Sequence, residues 1–479
     1  MALRIYNTLS RRKEEFRPLY EGFVGIYVCG PTVYDHLHVG HAKSYISFDV
    51  VVRYLRHLGY KVRYVQNITD VGHLTDNADQ GEDKIEKRAA AERLEPMELV
   101  EIYMRSYSED MDALGNLRPN ISPRASGHIP EQIELVKVLL DRGYAYEVGG
   151  SVYFSVEKFG GYGKLSGRRF QEQWEAVRIA PNPEKRHPAD FALWKRAEPG
   201  HILRWPSPWG WGYPGWHLEC SAMSMKYLGE TLDIHGGGME NMFPHHECEI
   251  AQSEAATGKP FVRYWMHNNM VTVGGTKMGK SLGNFVTIKE ILKSYSPMVL
   301  RLFVLGSHYR SPVDYTEEAM RAAQGGWERL NRAVQMVRER IRYAPDGPED
   351  VELSEVVRRC ERGFSEAMDD DFNTPKALGA LFELTGKVLA CLESGTPSRA
   401  TLKKVEDLYS KLAGGVLGFK FEEEGEGREE ELLDLLVEVR AELRRAKDWK
   451  LADRIRERLR ELGIALEDRP EGTVWRRYS

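Results

Sequence analysis

The chain has 479 residues, 42% hydrophobic and 29% charged, which suits two to four folded domains and excludes a collagenous or largely disordered polymer. Its 67 Lys and Arg against 72 Asp and Glu leave a net charge of −5, so a nucleic-acid partner must be held by local patches rather than a global basic field. Five scattered cysteines, an N-terminus without a signal-peptide core and the lack of an apolar run of ~18–20 residues predict a cytoplasmic protein with reduced thiols or metal ligands and no membrane contact.

Residues 22–29 (GFVGIYVC) read as a short buried strand. Tyr45, Phe48, Val52, Leu55 and Leu58 recur at helical spacing over 41–58, Gly59 supplies the stop, and 61–68 (KVRYVQNI) reads as a second strand. This order predicts a right-handed crossover in a parallel sheet, with ligands beyond the strands' carboxyl ends, at Cys29 to His41 and Asn67 to Asp70. The pattern is helical from 85 to 145, and 146–215, rich in Gly, Pro and Trp, reads as the least regular part of the chain. The span 112–208 is expected to be an insertion into the sheet domain. The sheet resumes with a helix near 216–228, a strand at 231–235, the loop Gly236-Gly237-Gly238 and a helix around 244–257. A single strand-like run, 261–273 (FVRYWMHNNMVTV), leads to a Gly- and Lys-rich loop at 274–284.

Beyond 316 the chain reads as helical, with one apolar stripe at Trp327, Leu330, Val334, Val337 and Ile341 and another at Val356, Val357, Cys360, Phe364 and Met368. Asn373 or Thr374 caps a further helix with Pro375 in its first turn. Residues 422–431, with seven Glu and one Arg, read as a solvated linker. The basic segment 440–479 carries twelve Lys or Arg against eight Asp or Glu, and Leu451, Ile455, Leu459 and Leu462 form a core stripe within it. Cys360 and Cys391 read as packing residues.

Three groups carry chemistry. His38-Val-Gly40-His41 sets two imidazoles and a glycine at a helix mouth, where free N–H groups suit a polyphosphate, although the pattern alone is more often a plain cap. Lys277-Met-Gly-Lys280-Ser281 puts two lysines three apart in a loop, fitted to neutralise a leaving pyrophosphate or, alone, to make an ordinary basic turn. Cys29, Cys220, His245 and Glu249 make a reasonable Zn²⁺ set, the last two sharing a helical face; buried thiols beside a polar helix start explain them equally well.

The strand–HVGH–helix unit together with KMGKS resembles the HIGH and KMSKS signatures of class I aminoacyl-tRNA synthetases. CGPTVYD, NITDVGH, PADFALWK, PGWHLECSAM, DIHGGG, FPHHE, KMGKSLGN, DDDFNTPKALGALF, ADRIRERL and GTVWRR extend this to a resemblance with the cysteinyl-tRNA synthetase family over residues 2–479. The resemblance implies an α/β fold: a Rossmann-like parallel sheet (1–111 and 209–257) with an inserted connective region (112–208). A KMGKS-loop and stem-contact region (258–320), a helical bundle (321–421) and an acidic linker with a small anticodon-binding region (422–479) would follow. It implies one Zn²⁺ per chain on Cys29, Cys220, His245 and Glu249, and a cysteine pocket lined by Thr69, Trp216 and His235. ATP with Mg²⁺ would meet His38, Gly40, His41, Gly237 and Lys280, with His38, His41, Lys277 and Lys280 as catalytic groups.

Trp475, Arg476 and Arg477 would contact tRNA(Cys), and the chain would join L-cysteine to it through cysteinyl-adenylate, as a monomer. The alternative is a ligase on the same fold that passes cysteine to a small amine such as glucosaminyl-inositol, which lacks the C-terminal anticodon region. Three residues depart from the family pattern: Gly279 in KMGKS, Glu240 in GGGMEN where Asp is common, and Cys248 beside Glu249 where Asn is frequent, a possible rival for the metal.

Overall fold

The computed structural model describes residues 2–72, 74, 83–167, 182–279, 282–395, 397–421, 429–469 and 472–477. A hairpin of β1 (Arg4–Asn7) and β2 (Arg12–Glu15) precedes the first parallel unit. In that unit β3 (Phe23–Val28), α1 (Val39–His57) and β4 (Lys61–Gln66) form the expected crossover, with β3 and β4 in register from Phe23↔Lys61 to Val28↔Gln66. Five of the six β3 residues are buried, the unbroken apolar run of a strand covered on both faces. Helices α2 (Lys84–Glu92), α3 (Pro96–Ala113) and α4 (Ile129–Asp141) follow.

The stretch read as least regular contains a five-stranded sheet. Strands β5 (Ala145–Val148), β6 (Ser151–Phe154), β7 (Phe191–Arg196), β8 (Trp205–Ser207) and β9 (Gly210–Pro214) pair antiparallel in the order β5-β6-β7-β9-β8. Its glycines concentrate at turns, Gly149 and Gly150 at φ 58° and 91° and Gly210 at φ 106°, while Val152, Phe154, Phe191, Leu193 and Trp194 fill the core. The turn residues dilute the alternation that marks a strand. The β8–β9 hairpin straddles residue 208.

Next come α5 (Trp216–Leu228), β10 (Leu232–Gly238), α6 (His245–Thr257) and β11 (Val262–Asn268). The parallel sheet has the order β11-β10-β3-β4. Gly236, Gly237 and Gly238, read as a loop, are instead fully buried in β10. A Cβ on Gly236 would lie 2.3 Å from the Phe48 ring, so glycine is what lets α1 pack onto this strand.

The single strand expected over 261–273 is also corrected, because the chain breaks at Asn269 and Met270 and continues in a second sheet. That sheet has the order β13-β12-β14 and contains β12 (Val271–Val273), β13 (Thr276–Lys277) and β14 (Val313–Tyr315). Between them lie α7 (Ile288–Ile291) and α8 (Pro297–Leu305).

The helical part comprises α9 (Glu317–Tyr343), α10 (Val351–Asp369), α11 (Thr374–Ser394) and α12 (Arg399–Leu408), the last continuing as a π-helical turn over 409–416. Both predicted stripes are buried apart from the half-buried Ile341. Asn373 caps α11, its side-chain oxygen accepting from Lys376 N.

Residues 1–420 form one compact unit and 421–479 a second. The second contains α13 (Glu429–Arg445), α14 (Trp449–Glu461) and the hairpin β15 (Ile464–Arg469) and β16 (Gly472–Arg477). Residues 422–428 of the predicted linker lie outside the described residues, and 429–431 belong to α13. Its core is Leu433, Leu459 and Ile464, with Ile455, Leu466 and Trp475 packed against them. Leu451 and Leu462, expected in the stripe, are 43% and 72% exposed, because β15 and β16 cover a different face of α14. No helix among the described residues is long and apolar enough to cross a membrane.

Candidate active site

The carboxyl ends of β3 and β10, the start of α1 and the first turns of α5 and α6 surround a cavity of about 270 Å³. Its lining includes Cys29, His38, Gly40, His41, Thr69, Trp216, Glu219, Cys220, Glu240 and His245. This is the crevice that a parallel sheet opens beyond its strands.

HVGH caps α1 and lines the cavity. His38 Nδ1 accepts from Gly40 N at 3.1 Å, and His41 Nδ1 accepts from the His38 N–H at 3.2 Å, closing a capping box. The rings lie 3.8 Å apart, and burial holds the His41 imidazole well below its ordinary value. A neutral ring whose Nδ1 accepts carries its proton on Nε2, so the cap sets the tautomer that donates hydrogen bonds.

The KMGKS segment is tied to the same place. Val39 N donates to Val286 O at 3.1 Å and Ile288 N to Leu37 O at 2.9 Å. Inside the loop, Gly279 N donates to Asn284 Oδ1 at 2.9 Å and Asn284 Nδ2 to Lys277 O at 3.3 Å. Lys43, fully buried on α1, donates to the carbonyls of Met270 and Ser311, which lead into β12 and β14. Burial pulls its amine down to about 8. Lys277 is exposed, and Lys280 and Ser281 lie outside the described residues.

Beneath the cavity, Cys29, Cys220, His245 and Glu249 place one ligand atom each within 4.8 Å of one another, all buried. Cys29 follows β3, where its N–H donates to Gly236 O at 3.0 Å; Cys220 lies on α5; the other two lie one turn apart on α6. Two sulfurs, an imidazole and a carboxylate suit Zn²⁺. Burial raises both thiols above their ordinary value, and Glu249 Oε1 lies 3.1 Å from His245 Nε2, so the donor atoms of α6 turn toward one point. A buried donor set of this kind fits a divalent cation.

Cys29, His235, His246 and Glu249 form a second, overlapping group, with Cys29 Sγ 3.2 Å from His246 Nε2. Neither His235 nor His246 lines the cavity, so only the first group faces it with three of its four members. His246, unremarked in the sequence, bridges Cys29 to His267 at 2.8 Å.

His235, expected in the cysteine pocket, stands behind the cluster with Nε2 2.8 Å from Glu249 Oε2. Gly237, expected near ATP, packs on the His246 ring, and Gly238 takes the place in the cavity wall. Cys248, the possible rival ligand, points into an apolar core with Tyr162 Oη 3.4 Å from its sulfur. Cys248 stands about 100° of helix rotation from Glu249, on the side of α6 that packs into this core. Trp216 lines the cavity and stacks on His245, with centroids 4.4 Å apart.

Thr69, expected in the cysteine pocket, lines the cavity and belongs to a polar line with Gly30, Asn67 and Glu219, of which the sequence reading gave Glu219 no role. Gly30 N donates to Asn67 Oδ1 at 2.8 Å, Asn67 Nδ2 to Thr69 Oγ1 at 3.2 Å, and Thr69 Oγ1 to Glu219 Oε1. A Cβ on Gly30 would sit 1.6 Å from the Asn67 carbonyl oxygen. Gly30→Ala is therefore expected to cost about 1–3 kcal/mol or more and to break this line. A lowered melting temperature is the expected result; an unchanged one would refute the close approach.

In the second unit, Trp475 Nε1 donates to Asp434 Oδ1 at 2.8 Å and its ring packs on the small core. The side chains of Arg476 and Arg477 lie outside the described residues.

The class I (C) tRNA synthetase catalytic domain matches residues 15–325, a DALR domain 363–422, and the cysteinyl-tRNA ligase anticodon binding domain 430–476. The chain is 57% identical to the cysteine–tRNA ligase of Chlorobium chlorochromatii, with 99% of both chains covered. It is 53% identical to that of Thermus thermophilus, again over 99% of both, and 52% identical to that of Deinococcus radiodurans, over 99% and 96%. Among solved structures, the fold is similar to Mycobacterium tuberculosis methionyl-tRNA synthetase bound to methionyl-adenylate. That match has a TM-score of 0.60 at 15% identity, covering 87% of this chain and 94% of that one. A class I catalytic domain and a cysteinyl anticodon-binding domain, joined in one chain with relatives alike over nearly their whole length, leave one assignment: the chain belongs to the cysteinyl-tRNA synthetase family.

Proposed function

We propose that this chain, a cysteine–tRNA ligase by family, selects its amino acid by the thiol at the Cys29, Cys220, His245 and Glu249 cluster and activates it on the HVGH edge of the same cavity. The observation that carries this is the convergence of the four donor atoms within 4.8 Å on the floor of the cavity that His38 and His41 line. These four residues would hold one Zn²⁺ per chain, which when bound supplies an acceptor that a thiolate fills well and a serine hydroxyl poorly. Shape alone separates such substrates by roughly 10- to 200-fold, whereas a discrimination of ~10⁴ corresponds to ~5.5 kcal/mol.

Cysteine activation and transfer then proceed in two steps. The cysteine carboxylate attacks the α-phosphate of ATP, releasing pyrophosphate, and the terminal ribose hydroxyl of tRNA(Cys) attacks the resulting adenylate carbonyl. His38 and His41 donate from Nε2 to phosphate oxygens as charge builds, with Gly40 and Gly238 allowing close backbone approach. Lys277 and Lys280 neutralise the leaving pyrophosphate, accompanied by Mg²⁺. Thr69 and Trp216 close the cysteine pocket, with His235 holding Glu249 from behind. Arg476 and Arg477 track anticodon phosphates, while Trp475 builds the hairpin that presents them. The domain limits given above, with the parallel-sheet domain extended through β11 to Asn268, and a cytoplasmic monomer complete the reading, the monomer testable by light scattering.

The direct test is transfer of labelled cysteine onto total tRNA. Charging that accepts cysteine, excludes serine and is lost when the metal is stripped supports the reading. Cysteine-dependent pyrophosphate exchange without charging would point to a small-amine acceptor. Lys280→Ala or Lys277→Ala should slow adenylate formation about 10²–10³-fold with cysteine affinity unchanged; equal loss of both would mark the lysines as structural.

A further inference from the structure

We infer that Glu219 receives the α-ammonium group of cysteine and so helps determine which thiols the cavity accepts. The inference rests on the reading that Thr69 and Trp216 line the cysteine pocket. Three bonds separate the sulfur of cysteine from its α-nitrogen, so a molecule held by its thiol at the Cys29–Cys220 cluster brings its ammonium into the same buried space. An ammonium taken out of water needs a counter-charge and hydrogen-bond acceptors there.

The acids near this space differ in what they have left to offer. Asp70 is fully buried but does not line the cavity, and both its oxygens are engaged by Ser126, at 2.8 Å from N and 2.6 Å from Oγ. Glu249 belongs to the metal set and is also met by His235. Glu240 lines the cavity but is exposed. Glu219 lines the cavity, is 1% exposed, and sits next to Cys220 on α5. Its Oε1 accepts from Thr69 Oγ1, while Oε2 has no hydrogen-bond partner among the described residues.

Thr69 is oriented for the same ligand. Its hydroxyl accepts from Asn67 Nδ2 and donates to Glu219, which leaves one lone pair for a further donor. A carboxylate oxygen and a hydroxyl lone pair on one wall form a receptor for a cation with several N–H bonds. A carboxylate placed only to orient Thr69 would need Oε1 alone.

Glu219→Gln keeps the shape and the acceptor for Thr69 while removing the charge. The test loads full-length wild type and E219Q with Co²⁺ and titrates each with cysteine and with 3-mercaptopropionate, which has the thiol and carboxylate but no amine. The thiolate-to-cobalt absorption band reads binding directly and shows that the site has assembled.

E219Q is expected to bind cysteine about 10- to 100-fold more weakly and 3-mercaptopropionate as well as, or better than, wild type. Equal weakening of both ligands would make Glu219 structural, and unchanged cysteine binding would show that the ammonium is held elsewhere; either overturns the inference. If neither ligand gives the band in wild type, the pocket reading fails and this inference falls with it.

Discussion

Cys220→Ser is expected to empty the metal site and to reduce cysteine-dependent pyrophosphate exchange by up to ~10⁴-fold, the factor equivalent to the ~5.5 kcal/mol asked of the thiolate contact. Cys220 is one of the two sulfurs in a buried set whose atoms lie within 4.8 Å, and a serine hydroxyl is a poor donor to a borderline-soft cation. Cys248→Ser is the matched control, since that sulfur is equally buried but faces an apolar core; it should keep its metal. Metal content by atomic emission reads both. His245→Ala against His246→Ala separates the two overlapping groups: loss of metal only in the first supports the cavity-facing set, and loss only in the second would move the ion behind the cavity wall.

Arg301→Met is expected to destabilise the 1–420 unit by about 3–5 kcal/mol, read as a fall in the urea midpoint. Arg301 is fully buried on α8 and ion-paired with Asp49 of α1, and it also donates to Leu417 O at 2.5 Å and to Leu114 O and Asn116 Oδ1 at 2.9 Å each. Asp49 further accepts from Leu117 N and from Arg53 Nε, both at 2.8 Å. Removing the guanidinium leaves the buried Asp49 paired with Arg53 but not with Arg301 and takes the donor from the Leu114 and Leu417 carbonyls, and that loss sets the cost. The double variant Asp49→Asn with Arg301→Met should recover part of it, because the under-compensated carboxylate charge is gone. A single-variant loss below about 1 kcal/mol would mean that water reaches the site and that this junction is not sealed.

The parallel crossover was legible because apolar spacing and a glycine stop are local, and β3, α1 and β4 lie within two residues of their predicted ends. The four-residue donor cluster was legible as a candidate from residue types, and the resemblance chose it over buried thiols, since cysteine and histidine types suggest ligands without bringing them together. The misread parts share one cause. Gly236–Gly238 looked like a loop because glycine usually marks one, yet here it makes room for Phe48. The run 261–273 looked continuous because each half is apolar, although the halves serve different sheets.

The sequence by itself determined the residue types, the strand–HVGH–helix order and the lysine loop, all of which depend on neighbours a few positions apart. Only the tertiary structure decided that Cys29, Cys220 and α6 meet, that His235 stands behind Glu249 and that Cys248 turns away. It alone left Glu219 with an oxygen that has no hydrogen-bond partner among the described residues. Those are questions of burial and of partners far apart in the chain, and β3 lying beside β10 answers them.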